Sequence, residues 1–157
     1  MNYNVSLADG KGGTAIIALP GGFHIRPHFT LAELANTKTR EAVQFCYNAD
    51  VRTFLDMIEE FRRWFNRPMT VNSCFRAPKY NASVGGDARS LHLQARALDW
   101  GITGHTEQQR KNVTEKWREL CEKYGKVGGI NYYSWGYHLD DHEDYFAHHT
   151  FQVRDYR

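Results

Sequence analysis

Between Asp50 and Phe65 apolar side chains recur at three- and four-residue intervals, at Val51, Phe54, Leu55, Ile58, Phe61 and Phe65, while Asp56, Glu59, Arg62 and Arg63 fall between them. That period gathers the apolar set on one side of an amphipathic helix whose aromatic stripe faces a core. Pro68 stops it. A second stripe, Val113, Trp117, Leu120, Cys121 and Tyr124, predicts a long helix over residues 106–124. Thr106 and Gln109 have capping-box spacing at its start, and Gly125 closes it. Thr30 and Glu33 repeat that spacing beside apolar Phe29 and Leu31. They predict a short helix in FTLAELANT, followed by another in TREAVQFCY.

The remaining pattern is of strands and breakers. MTVNSC (Met69–Cys74) alternates as a strand does, and ALDWGI reads as a second strand, carrying Asp99. KVGGINYY, GYHLD and HTFQVRDY follow after Gly125 as further strands. Phe75–Arg89 contains Pro78, Gly85 and Gly86 and predicts an irregular loop. Residues 1–28, with Gly10, Gly12, Gly13, Pro20, Gly21, Gly22 and Pro27, predict a loose arm in which Thr14–Leu19 forms a short edge strand. Two long helices with strands between and after them imply an α+β fold, a mainly antiparallel sheet packed by helices on one side, in one domain spanning 1–157.

Composition narrows the function classes. With 157 residues, 41% hydrophobic and 24% charged, the chain can bury a core without a metal or disulfides, so any zinc is expected to be catalytic rather than structural. A formal charge of +2, with no Lys/Arg run, argues against a nucleic-acid partner. No apolar run is long enough to span a membrane. The N-terminal MNYNVSLADGKGG lacks the basic-then-apolar pattern of a secretory signal, which predicts cytoplasmic synthesis without export by that route. Cys46, Cys74 and Cys121 are odd in number and widely spaced, and read as buried free thiols. The sequons at Asn81 and Asn112 carry little weight without a signal peptide.

Candidate chemistry lies in SLHLQARALDW (Ser90–Trp100) and GYHLDD (Gly136–Asp141). His92 and Asp99, seven positions apart, suit a turn entering a strand. In the later strand, alternation sets Tyr137 and Leu139 on one face and His138 and Asp140 on the other. Two imidazoles and one carboxylate hold a zinc ion with a coordination position left open. His142 competes with His138 for the third place, whereas His148 and His149 read as solvated or core-edge residues; His24, His28 and His105 show no partner pattern.

Linked motifs tie these residues together. Ser73, Phe75, Arg76, Pro78 and Asn81, then Val84, Gly85 and Gly86, then Ser90, His92, Ala97 and Asp99, and last His138 with Asp140, follow S-G-Y-R-x-P-x-x-N, V-G-G, S-x-H-x-x-G-x-A-x-D and H-x-D in order. The run resembles the zinc D-Ala-D-Ala carboxypeptidase family, peptidoglycan peptidases whose fold is shared with hedgehog signalling domains, over roughly residues 28–142. The resemblance implies Zn2+ held by His92, Asp99 and His138, with Arg76 beside the metal on the substrate's carboxylate or the developing oxyanion. Ser90 would support the ligand turn or bind substrate. The implied reaction is metal-assisted hydrolysis of amide bonds in peptidoglycan stem peptides, as a D,D-carboxypeptidase or an endopeptidase. A monomer acting on the cell wall, phage-encoded or released on lysis, fits the absence of a leader.

Three positions depart from the family. Cys74 and Ala95 stand where it has Gly, which is tolerable where the backbone does not need positive φ. The third departure concerns the base: the family's Glu or Asp three positions before the last His is Trp135 here, preceded by Ser134. Asp140 is the substitute candidate, and Asp141 and Glu143 are others; Asp140 could equally orient a ligand imidazole. A zinc-binding, hedgehog-like module without turnover is the alternative, and a phage structural protein a third.

Overall fold

The computed structural model describes residues 2–8, 13–35, 44–142 and 150–157. The order of elements is β1 (Asn2–Ala8), β2 (Thr14–Pro20), β3 (His24–Arg26), β4 (Phe29–Thr30), α1 (Leu31–Leu34), β5 (Gln44–Tyr47), α2 (Ala49–Phe65) and β6 (Thr70–Ser73). Then come α3 (Pro78–Ser83), a 3-10 turn (Leu91–Gln94), β7 (Ala97–Gly101), α4 (Glu107–Lys123), β8 (Gly129–Tyr133), β9 (Gly136–Asp140) and β10 (Gln152–Asp155). The architecture is mixed α+β.

Five strands build the sheet that carries the site, in the order β10-β8-β9-β7-β6. Pairings within β8, β9, β7 and β6 are antiparallel, and β10 joins β8 in parallel. Side chains alternate across such a sheet. Leu98, Trp100, Ile130, Tyr137 and Leu139 are buried on one face. Phe61 and Phe65 of α2 meet Trp100 edge-on, with centroids 5.5 and 4.7 Å apart, and Trp117 of α4 meets Phe54 and Phe61 in the same way. The opposite face carries Ser73, Asp99, His138 and Asn131, which are successive partners in register from β6 to β8. Packing of the apolar face thus fixes where the polar row stands.

The helix signals are present as structure. Thr30–Glu33 and Thr106–Gln109 both form full capping boxes, and α2 starts at Asn48, whose side chain accepts the Val51 N–H. Glu59, on the polar side of the α2 pattern, is instead buried. It accepts the His28 backbone N–H at 2.9 Å and faces His28 Nδ1 at 2.7 Å, so its charge is compensated.

Four expectations are corrected. Residues 2–8 are not loose: β1 pairs along its whole length with β2, the edge strand expected at Thr14–Leu19, and with β5 in parallel. The reason is alternation in NYNVSLA, where Val5 is buried and Tyr3 and Leu7 pack against the core. Gln44–Tyr47 is the strand β5 rather than the end of a helix, because Phe45 turns inward onto Phe75 at 5.8 Å; residues 36–43 lie outside the described residues. The segment after β6 contains α3, which begins on Pro78, a residue well suited to a first helical position. Cys46 is exposed, while Cys74 and Cys121 are the buried thiols. Among the described residues no helix is long and apolar enough to cross a membrane.

Gly136 opens β9 at φ +149°, and a Cβ there would lie 1.9 Å from the Trp100 carbonyl oxygen of the neighbouring strand. Backbone cannot yield as a side chain can. Gly136→Ala is expected to cost at least about 2–3 kcal/mol in chemical denaturation, against less than about 0.5 kcal/mol for Gly22→Ala, where nothing lies within 4 Å.

Candidate metal centre

His92 enters the site on the 3-10 turn. The Ser90 hydroxyl caps that turn by accepting the His92 backbone N–H at 3.3 Å, and the Arg76 N–H donates to the His92 carbonyl at 2.8 Å. The turn ends at Ala95 with φ 55°, so this position does use the left-handed region, at a cost of roughly 1–2 kcal/mol for a non-glycine residue. Cys74, the other family glycine, has no positive φ. The glycines of the VGG run have their own reasons: Gly85 sits at φ +70°, and Gly86 lies against Asn81, whose Oδ1 would be 2.1 Å from an added Cβ.

The His92 ring is oriented by the backbone of the preceding strand segment. Its Nδ1 lies 2.7 Å from the Cys74 carbonyl oxygen. A carbonyl only accepts, so Nδ1 carries the proton and the lone pair of Nε2 points at Asp99 Oδ1, 3.1 Å away. Burial, the largest influence on His92, lowers its pKa and favours this neutral form. Two acceptor lone pairs facing each other at 3.1 Å make this a place that favours a cation.

Asp99 is the centre of the arrangement. Oδ1 faces His92 Nε2 and also His138 Nδ1 at 2.9 Å; Oδ2 accepts from an Arg76 guanidinium nitrogen at 2.8 Å. Arg76 Nε in turn donates to the Ser73 hydroxyl at 3.0 Å. Burial, the largest influence, alone would raise the Asp99 carboxyl, but the hydrogen bond from His138 leads the opposing influences, which hold Asp99 well below the usual carboxylate range. One donor atom from each of His92, Asp99 and His138 falls within 4.8 Å of the others, and among the described residues this is the group able to hold a metal ion. An N/N/O donor set of this kind suits zinc.

His138 is gripped from its far side. Nε2 lies 2.9 Å from Asp140 Oδ2, and Asp140 Oδ1 accepts from the His142 backbone N–H at 3.1 Å and faces His142 Nδ1 at 2.8 Å. Burial pulls the His138 pKa down, yet the two flanking carboxylates, Asp140 and Asp99, overcome it and push it up to about 9. His142 is therefore not in the three-residue group but behind Asp140. Asp141 points away: it is fully enclosed against Arg96, whose Nε donates to Oδ1 at 2.9 Å. Burial raises its pKa to about 6, with Arg96 opposing. Glu143, His148 and His149 lie outside the described residues. Trp135 occupies the β8–β9 turn, stacked on Tyr133 at 4.7 Å and an interplanar angle of 10°.

Sequence reasoning did not find the Cys74 carbonyl, which any residue type supplies, nor the part His142 plays behind Asp140. It also passed over Tyr133 and Asn131; the register of β8 against β9 was the signal that pairs Asn131 with His138.

Among curated proteins no relative matches the chain. A protein-family model described as Peptidase M15 matches residues 27–140, from the turn before β4 to the end of β9. That span covers more than half of the 157 residues and includes the whole His92, Asp99 and His138 group. The chain therefore belongs to the M15 family of zinc-dependent, D-Ala-D-Ala carboxypeptidase-like peptidases.

Proposed function

We propose that this protein is a zinc peptidase that hydrolyses peptide bonds in the stem peptides of bacterial peptidoglycan, with the fold shared by D-Ala-D-Ala carboxypeptidases and hedgehog domains. One observation carries the reading: in a chain of this family, His92 Nε2, Asp99 Oδ1 and His138 Nδ1 converge with their other ring nitrogens already occupied by protein acceptors. His92, Asp99 and His138 are the ligands in this proposal. Zinc bound there supplies Lewis acidity toward the scissile carbonyl and a nucleophile at neutral pH.

The surrounding residues divide the remaining work. Arg76, anchored on Ser73 and Asp99, turns its free N–H donors toward anionic oxygen on the substrate, a task that suits a guanidinium fork. Ser90 holds the ligand turn through its cap of His92. Asp140 is assigned as the residue that orients His138 rather than as the base, since both of its oxygens are engaged on imidazoles. Asp141 is enclosed against Arg96. Of the three acidic candidates Asp140, Asp141 and Glu143, this leaves Glu143 as the candidate base.

The direct test is incubation of zinc-loaded protein with purified muropeptides, followed by mass spectrometry. Loss of a terminal D-Ala or scission of a cross-link is expected, and His92→Ala should lose both activity and most of its zinc by elemental analysis. An inactive zinc-loaded parent would favour the binding-module reading, to which Trp135 in the base position points.

The proton on His138 gives a second expectation. The metal-free site stabilises the fold through charged His138 below about pH 6.5, and this contribution is lost as pH rises through about 9. For His138 to hold zinc at neutral pH that proton would have to leave. Calorimetric titration at pH 7 in buffers of different ionisation enthalpy should therefore report about one proton released per zinc; a count near zero would show His138 neutral beforehand.

Asp140→Asn separates orienting from proton transfer. An orienting role predicts zinc affinity weakened about 10–100-fold, with hydrolysis at saturating zinc reduced no more than about tenfold. Loss of about 10²–10⁴ in kcat at full zinc occupancy would instead make Asp140 the base.

A further inference from the structure

Tyr133 ends β8 on the face of the sheet that carries the ligands. It lies two residues beyond Asn131, the register partner of His138, so both side chains leave the same side of the strand. The ring is clamped: Trp135 stacks on one side at 4.7 Å and 10°, and Tyr156 on the other at 5.3 Å and 17°. The phenol stands near Asn131 and close enough to Asp99 and Arg76 to feel both charges.

We infer that Tyr133 is a catalytic residue whose hydroxyl donates a hydrogen bond to the carbonyl oxygen of the scissile amide as that oxygen gains negative charge. The assignment rests on the peptidase reading above and adds a residue to it. A donor is useful there only if it is fixed before the charge develops, and a ring held between two parallel aromatics cannot turn away. Burial pushes the Tyr133 pKa up, so the hydroxyl keeps its proton at neutral pH. Trp135, which replaces the family's carboxylate, acquires a role here as one jaw of the clamp. Arg76 and Tyr133 then have separate duties, a charged donor for anionic oxygen and a neutral donor for an oxygen becoming anionic.

Tyr133→Phe removes the hydroxyl and keeps the ring between Trp135 and Tyr156. The variant is expected to retain parent zinc content and a KM within about threefold, while kcat on muropeptides falls about a hundredfold. A phosphinate analogue of D-Ala-D-Ala, whose tetrahedral anion imitates the charged state, should bind the zinc-loaded variant more weakly by a similar factor in calorimetry, with no turnover needed for the reading. A variant that matches the parent in kcat and in phosphinate affinity overturns the Tyr133 assignment alone. A zinc-loaded parent that neither cleaves muropeptides nor binds the phosphinate overturns the peptidase reading, and the Tyr133 assignment with it.

Discussion

A carboxylate taken out of water is costly unless charge and hydrogen bonds surround it, and Asp99 is such a group in the middle of a sheet. Its two oxygens are met by two imidazoles and a guanidinium, drawn from a turn before its own strand, the neighbouring strand β9 and the segment after β6. Each partner can be there only because strand register is strict: a one-residue slip of β9 would send His138 to the core and bring Leu139 to Asp99. The apolar side of the sheet forbids that slip, since Tyr137 and Leu139 would lose their burial in the core beside Leu98 and Trp100. Core packing and site geometry are in this sense one constraint read from two faces.

The two histidines are prepared differently for the same task. His92 is buried and tied to a carbonyl, which fixes it as a neutral Nδ1–H tautomer. His138 lies between Asp99 and Asp140, which favour the charged form. In the ligand roles proposed for them, one is thus ready for a cation, while the other would give up a proton to bind it. That asymmetry follows from which acceptor lies behind each ring, a neutral carbonyl or a carboxylate with its own imidazole partner.

What the sequence disclosed follows from how local each signal is. Periodicity located α2 and α4, capping boxes located the starts of α1 and α4, and alternation in GYHLD correctly separated Tyr137 and Leu139 from His138 and Asp140. The grouping of His92, Asp99 and His138 was legible through its motif spacing. Contacts between distant segments were not: nothing in NYNVSLA says that QFCY will lie beside it in parallel, and nothing in Glu59 says that His28 will neutralise its burial. Ala95 shows a subtler gap. The left-handed backbone the turn requires is signalled by glycine where glycine is present, and an alanine that accepts the strain conceals the requirement.

The run after His138, DDHED, has the composition of a solvated acidic stretch, yet in its described part Asp141 and His142 are buried and Asp140 is largely so. Asp140 faces the imidazoles of His138 and His142, while Asp141, the next residue, turns to the opposite side and closes on Arg96. Arg96 immediately precedes Ala97, whose register partner is Asp140, so the ion pair joins the exit of the His92 turn to the exit of β9. Buried pairs of this kind contribute little net stability, because desolvation offsets most of their attraction. Their effect is on uniqueness: with Arg96 held to Asp141, the two ends that carry His92 and His138 cannot drift apart without exposing two unpaired charges to an apolar surround. The site is therefore closed by a second charged contact that never meets the metal, and a neutral pair of similar shape in its place would preserve packing while relaxing the distance between the ligands.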